Sequence, residues 1–285
     1  MSTTTTTYLS IANNLARYQK LEASQPAVQT ATDYYQANIG KVSTVEQFLA
    51  NYRLLSYALQ AYGLGDQVDN AALIKQVLEE GTSDPKALAN TLPNAAWKAF
   101  ADAFNFQASG TAAPSSASSI ATTTSDYTEQ QLEADQGASD AGVQLALYFK
   151  RVAPTVTSVY GILADKNLLE VVQTIFNLPP ASGSAQIDQE AAAIQKLVPL
   201  SDLQDPTKLD SLITRFTANY DLKYGPTSGT GDSLTVDDGN TTSTVSAAST
   251  VLAGIVSANS LALSEQSSYT PLISPSLLAG LALGG

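Results

Sequence analysis

The chain repeats itself. Residues 34–64 and 148–178 align without a gap at an offset of 114 residues, as YYQANIGKVSTVEQFLANYRLLSYALQAYGL and YFKRVAPTVTSVYGILADKNLLEVVQTIFNL. The shared positions are mostly apolar: Val42 with Val156, Val45 with Val159, Leu49 with Leu163, Leu54 with Leu168, Leu55 with Leu169 and Leu64 with Leu178. The echo continues outward with small shifts. LEASQ at 21–25 answers LEADQ at 132–136, Asp84-Pro85 answers Asp205-Pro206, and FADAFNF at 100–106 answers FTANYDL at 216–222. A fixed period constrains a fold more than any local signal. What recurs is a packing pattern, not a set of reactive side chains, and that argues against an enzyme.

Helical spacing runs through both copies. Tyr8, Ile11, Leu15, Tyr18 and Leu21 recur at three- and four-residue steps, and a second helix is predicted over 25–37, broken by Gly40. Ser43-x-x-Glu46 and Thr44-x-x-Gln47 are overlapping capping boxes. They open one continuous helix with a stripe of Phe48, Leu49, Tyr52, Leu55, Leu59 and Tyr62, stopped by Gly63 and Gly65. Asp84-Pro85 and Asp205-Pro206 read as cap plus first-turn proline, each starting a helix. In the second copy Pro154 breaks the chain, Thr157 or Ser158 opens the matching helix, and Pro179-Pro180 stands in for the glycine stop.

The expected fold is therefore all-α: two similar helical units from an internal duplication, with a mostly irregular C-terminal tail. The units are placed at 8–106 and 127–222. A Ser/Thr/Ala-rich linker at 107–126 separates them, and a flexible acidic and apolar tail occupies 223–285. Residues 1–7, a Met-Ser-Thr tract, are expected to be disordered. Within the tail, SLTVDDGNTTSTV alternates around Asp-Gly and predicts a hairpin. The uncharged stretch 244–263 has the length of a membrane span, but its Thr, Ser and Asn favour a small-residue helix or buried strap. The end, TPLISPSLLAGLALGG, has the character of a segment that docks on a partner.

Charge and composition exclude much chemistry. Net charge is −12, which repels nucleic acid and anionic membranes, so neither nucleic acid nor lipid is expected as a partner. Cysteine and histidine are both absent, removing thiolate chemistry, zinc–sulfur sites and the commonest general base. Asp237, Asp238 and Asn240, with Asp232 nearby, resemble a calcium turn but lack the spacing of an EF-hand loop. Glu79-Glu80 sits before a helix-ending Gly81. Glu129, Glu133, Asp135 and Asp140 are expected along one helix, where a solvated face explains them better than acid–base work. Tyr34/Tyr35 and Tyr148/Phe149 occupy matching positions and read as packing. The arginines, Arg17, Arg53, Arg151 and Arg215, are scattered. No catalytic, cofactor-binding or metal-binding residue is assigned, and no cofactor is expected.

The motifs KQVLEEGTSDPKALAN, ALYFKRVAPTVTSVYGILADKNLLEVVQTIFNLP and DLQDPTKLDSLITRFTANYD, with the 34–64 segment, together resemble a bacterial helical family, domain of unknown function 1217. The resemblance covers about residues 8–224. It implies a flagellum-associated role, because members are typically encoded among flagellar genes. It brings no catalytic residues. The expectation is a non-enzymatic structural or accessory protein in the flagellum or exported by its secretion system, binding other flagellar proteins or itself. The alternative is a cytoplasmic export chaperone or assembly regulator. MSTTTTTYLSIANNL shows no basic or apolar signal-peptide pattern, so no cleaved signal is expected, and the absence of cysteine and the low charged fraction suit such export.

Overall fold

The computed structural model describes residues 3–106, 112–179, 184–224, 234–236 and 243–245. The chain divides into two units, Met1–Gly225 and Pro226–Gly285. Among the described residues the first unit is all-α. The second contributes two short strands, β1 (Leu234–Val236) and β2 (Ser243–Val245), paired antiparallel with Leu234 opposite Val245. They flank the expected Asp-Gly turn. That turn, its calcium reading, the irregular character of the tail and almost all of 244–263 lie outside the described residues.

The first half of the helical unit holds α1 (Thr4–Ala12), α2 (Leu15–Ala23), α3 (Pro26–Asn38), α4 (Val45–Ala50) and α5 (Tyr52–Ala61). After these come α6 (Ala71–Glu80), α7 (Leu88–Thr91), α8 (Ala96–Ala103) and α9 (Ala112–Ser115). The remaining elements are α10 (Ala117–Gly137), α11 (Ala141–Val152), α12 (Val159–Ala164), α13 (Lys166–Phe176), α14 (Ser184–Leu197), α15 (Leu200–Gln204) and α16 (Pro206–Tyr224). Two hydrophobic cores form. One gathers Tyr35, Phe48, Leu54, Leu59, Ile74, Phe100 and Tyr127. The other gathers Tyr8, Ile11, Leu132, Val143, Phe149, Leu168, Val172 and Phe216.

Local geometry recurs at the 114-residue offset. A 3-10 turn at Ile39–Lys41 answers one at Ala153–Thr155. Thr44 caps α4 by accepting from the Gln47 amide, and Ser158 caps α12 by accepting from the Gly161 amide. Each of the two stretches then breaks where the sequence predicts a continuous helix. Asn51 and Asp165 leave the helical region and cap α5 and α13, accepting from the amides of Leu54 and Leu168. A side-chain oxygen here competes successfully with the helical hydrogen bond. Both helices end alike. Gly63 sits at φ 73°, and its counterpart Asn177 at φ 53°, the left-handed region that Asn tolerates after Gly. The second stop is thus Asn177, ahead of the prolines.

Four further sequence expectations need correction. The linker placed at 107–126 is, from Ala117 onward, part of the 21-residue helix α10. Ser116 caps it, and its Thr123, Tyr127 and Thr128 are buried. Ser/Thr-rich composition does not prevent a helix when one face finds a core. The units at 8–106 and 127–222 are likewise not separate bodies, because α10 serves both cores, with Tyr127 in the first and Leu132 in the second. The expected disorder of 1–7 does not hold from Thr4 onward. The Asp221 carboxylate of α16 accepts from the backbone amides of Thr4 at 2.8 Å and Thr5 at 3.2 Å, and Thr4 Oγ1 donates to Asp140 at 2.9 Å. Carboxylates from distant helices thereby cap α1, and its Tyr8 and Ile11 enter the second core instead of the first. The Asp-Pro starts also diverge. Asp205 caps α16, whereas Asp84 holds only a turn through the Lys86 amide, and α7 begins at Leu88.

Candidate functional site

The densest chemistry lies where α10 crosses α11. Glu133 is 3% exposed and accepts a two-pronged bond from Arg151, Nε to Oε1 at 2.7 Å and Nη2 to Oε2 at 2.9 Å. With its amide oxygen turned inward, Gln130 accepts from Arg151 Nη1 at 3.1 Å. The guanidinium lies 5.3 Å from the Tyr148 ring centre. Tyr148 donates its hydroxyl to Asp165, the residue that caps α13. One ion pair therefore ties the long helix to a tyrosine and a helix cap.

Electrostatics agree with a locking role. Burial is the largest single influence and works against the charge of Arg151, but the bond to Glu133 and the charges of Glu133 and Glu129 together outweigh it and hold the guanidinium more strongly protonated than usual. Burial pushes the carboxyls of Asp126 and Glu129 up, with Arg151 pulling the other way. Burial, then the Asp165 charge, pushes the Tyr148 hydroxyl far up, which removes it as a base at neutral pH.

The acidic residues singled out in the sequence are dispersed. Glu129, Glu133 and Asp135 lie on α10, but Asp140 begins the next helix, capping α11 through the Gly142 and Val143 amides. Glu79 pairs with Lys75, which also reaches Glu46. Glu80 accepts from the Leu88 amide at 2.6 Å and so feeds the start of α7. Among the described residues no group of three or more acidic residues is placed to hold a metal ion.

The tyrosines and arginines are less scattered than their spacing suggests. Tyr35 stacks on Tyr57 at 4.6 Å, and Tyr57 stacks on Tyr127 at 3.8 Å. Arg53 lies over the Tyr34 ring at 3.8 Å and Arg215 over Phe176 at 5.1 Å, as Arg151 does over Tyr148. The one available signal was the matched pairs Tyr34/Asn51 and Tyr148/Asp165, each linking a hydroxyl to a helix cap.

An open groove of about 730 Å³ runs between α2, α3 and the first half of α10. Its lining is mixed: Ala23, Ala117, Ile120 and Ala121 supply an apolar floor, and Gln19, Lys20, Gln29, Asp33 and Ser125 the polar groups. No described helix is long and apolar enough to cross a membrane.

No curated protein matches the chain. A crystal structure of a protein from Agrobacterium tumefaciens, a structural-genomics target, is similar to it with a TM-score of 0.70 and 36% identity, over 77% of this chain and 93% of that one. The family model described as "Protein of unknown function (DUF1217)" matches residues 61–209. On that match, which spans more than half of its length, the chain belongs to that family.

Proposed function

We propose that this chain is a non-enzymatic structural or accessory protein of the bacterial flagellum, exported by the flagellar secretion system and bound to other flagellar proteins or to itself. The observation that carries this reading is family membership, joined to the flagellar gene setting that the resemblance implies. The fate of the polar residues supports a role in binding. Glu133, Asp140, Asp165 and Asp221 are spent on an ion pair and on helix caps. We further propose that the two halves descend from one duplicated unit. The matched caps at Thr44/Ser158 and Asn51/Asp165 and the matched stops at Gly63/Asn177 support this. The alternative, a cytoplasmic export chaperone or assembly regulator, would want an apolar groove for a partner helix, and the groove along α10 supplies Ile120 and alanines for that between its polar side chains.

Deleting the gene should impair swimming or filament assembly. Detection of the chain in basal-body, filament and cytoplasmic fractions of wild-type cells separates the two readings. Normal motility and normal filaments in the deletion strain would refute both.

A further inference from the structure

Among α3, α5 and α10 lies a recess of about 200 Å³. Tyr57 and Tyr127 belong to its lining as a stacked pair, 4% and 8% exposed. Tyr34 lines it as well, held by its bond to Asn51. At its rim stand Tyr52, 62% exposed, and Arg53. Arg53 rests on the Tyr34 ring, and among the described residues no carboxylate lies within ion-pair reach of it. A guanidinium with no carboxylate partner among the described residues is notable in a chain of net charge −12.

The second half indicates that the scaffold does not require these residues. The pair that organises the turn recurs there, Tyr34 with Asn51 as Tyr148 with Asp165. The recess does not. At the positions 114 residues later, Ala31 becomes Leu145, Tyr52 becomes Lys166, Arg53 becomes Asn167 and Tyr57 becomes Val171. Leu145 and Val171 are buried in the second core. The same helical frame therefore closes on aliphatic side chains in one half, and in the other opens beside tyrosines and Arg53, which has no carboxylate partner among the described residues.

We propose that this recess binds a small planar aromatic acid. Its ring would lie against the exposed Tyr52 and the edges of Tyr34 and Tyr57, whose faces are already covered, and its carboxylate would meet Arg53. Drug-sized sites occupy about 300–1,000 Å³, so this volume suits a single ring. Aromatic walls favour a flat apolar body, and a guanidinium favours a carboxylate through paired, charge-assisted hydrogen bonds. The N-terminus of α5, where Arg53 sits, adds favourable field for an anion. The proposal is independent of the flagellar reading, which survives its failure.

The test is an NMR titration of the full chain with sodium phenylacetate, sodium acetate and benzyl alcohol. Phenylacetate should give saturable shifts around Tyr34, Arg53 and Tyr57, with a dissociation constant on the order of 1 mM. Acetate, lacking the ring, and benzyl alcohol, lacking the charge, should each bind about tenfold more weakly. Arg53→Asn copies the residue at 167 and should weaken phenylacetate binding about tenfold without moving the thermal midpoint. Ala31→Leu copies position 145 and should abolish binding by filling the recess. Three results would overturn the proposal: no saturable shift with phenylacetate, equal binding of acetate or benzyl alcohol, or undiminished binding by Arg53→Asn.

Discussion

At the scale of single residues, the Glu133–Arg151 pair carries the most consequence. Both partners are largely withdrawn from water, so removing one strands the other. Glu133→Ala should destabilise the helical unit by about 3 kcal/mol, read as a lower urea midpoint at unchanged slope. The neighbouring Glu129 should behave in the opposite sense. Its carboxyl is raised by burial, so the folded state holds its proton more tightly than the unfolded chain does. Stability from this group is present below the unfolded value of about 4.3 and is lost as pH rises through the folded one. Glu129→Gln should therefore raise the thermal midpoint at pH ~7, with the gain shrinking toward pH ~4. A gain that persists in acid would show that something other than the charge is responsible. Neither effect was legible in the sequence. An acidic helix face looks the same whether it meets solvent or an arginine that lies 18 positions further along the chain.

At the scale of elements, α1 is clasped by the carboxylates of Asp140 and Asp221 and by the second core. Gly142 at the start of α11 lets it approach closely: a Cβ there would lie 2.4 Å from the Tyr220 ring and 2.7 Å from Thr4. Tyr220 belongs to α16 and Thr4 to α1, so Gly142→Ala should loosen the clasp between these helices. The expected cost is about 1–3 kcal/mol, with amide exchange accelerated first in residues 4–12. Uniform acceleration across the unit would refute a local clasp. The two Asp-Pro starts differ in what they hold. Asp205→Ala removes a true cap and should cost about 1 kcal/mol. Asp84→Ala should cost less, because Glu80 independently feeds the amide at the start of α7. Chemical denaturation of the two variants side by side measures the difference.

At the scale of the whole molecule, both cores lie within residues 1–225, and α10 joins them. Removing residues 227–285 should leave that unit folding in one cooperative transition, with its urea midpoint unchanged. Its loss on truncation would place the tail within the fold. The helical class, the 114-residue register, the cap at Thr44 and the core positions Leu54 and Leu168 were determined by the sequence alone. All of these depend on apolar spacing and local hydrogen bonding, which the chain carries within a turn or two of each residue. The breaks at Asn51 and Asp165 were local as well, but a capping oxygen inside an apolar stripe is ambiguous until the neighbouring tyrosine hydroxyl is in place. Only the tertiary structure decided that a Ser/Thr-rich segment would become the helix shared by both cores. Only it sent α1 across to the second half and put Arg53 beside tyrosines rather than a carboxylate. These outcomes depend on which faces meet across long sequence separations. Spacing along one strand of chain does not encode that partnership.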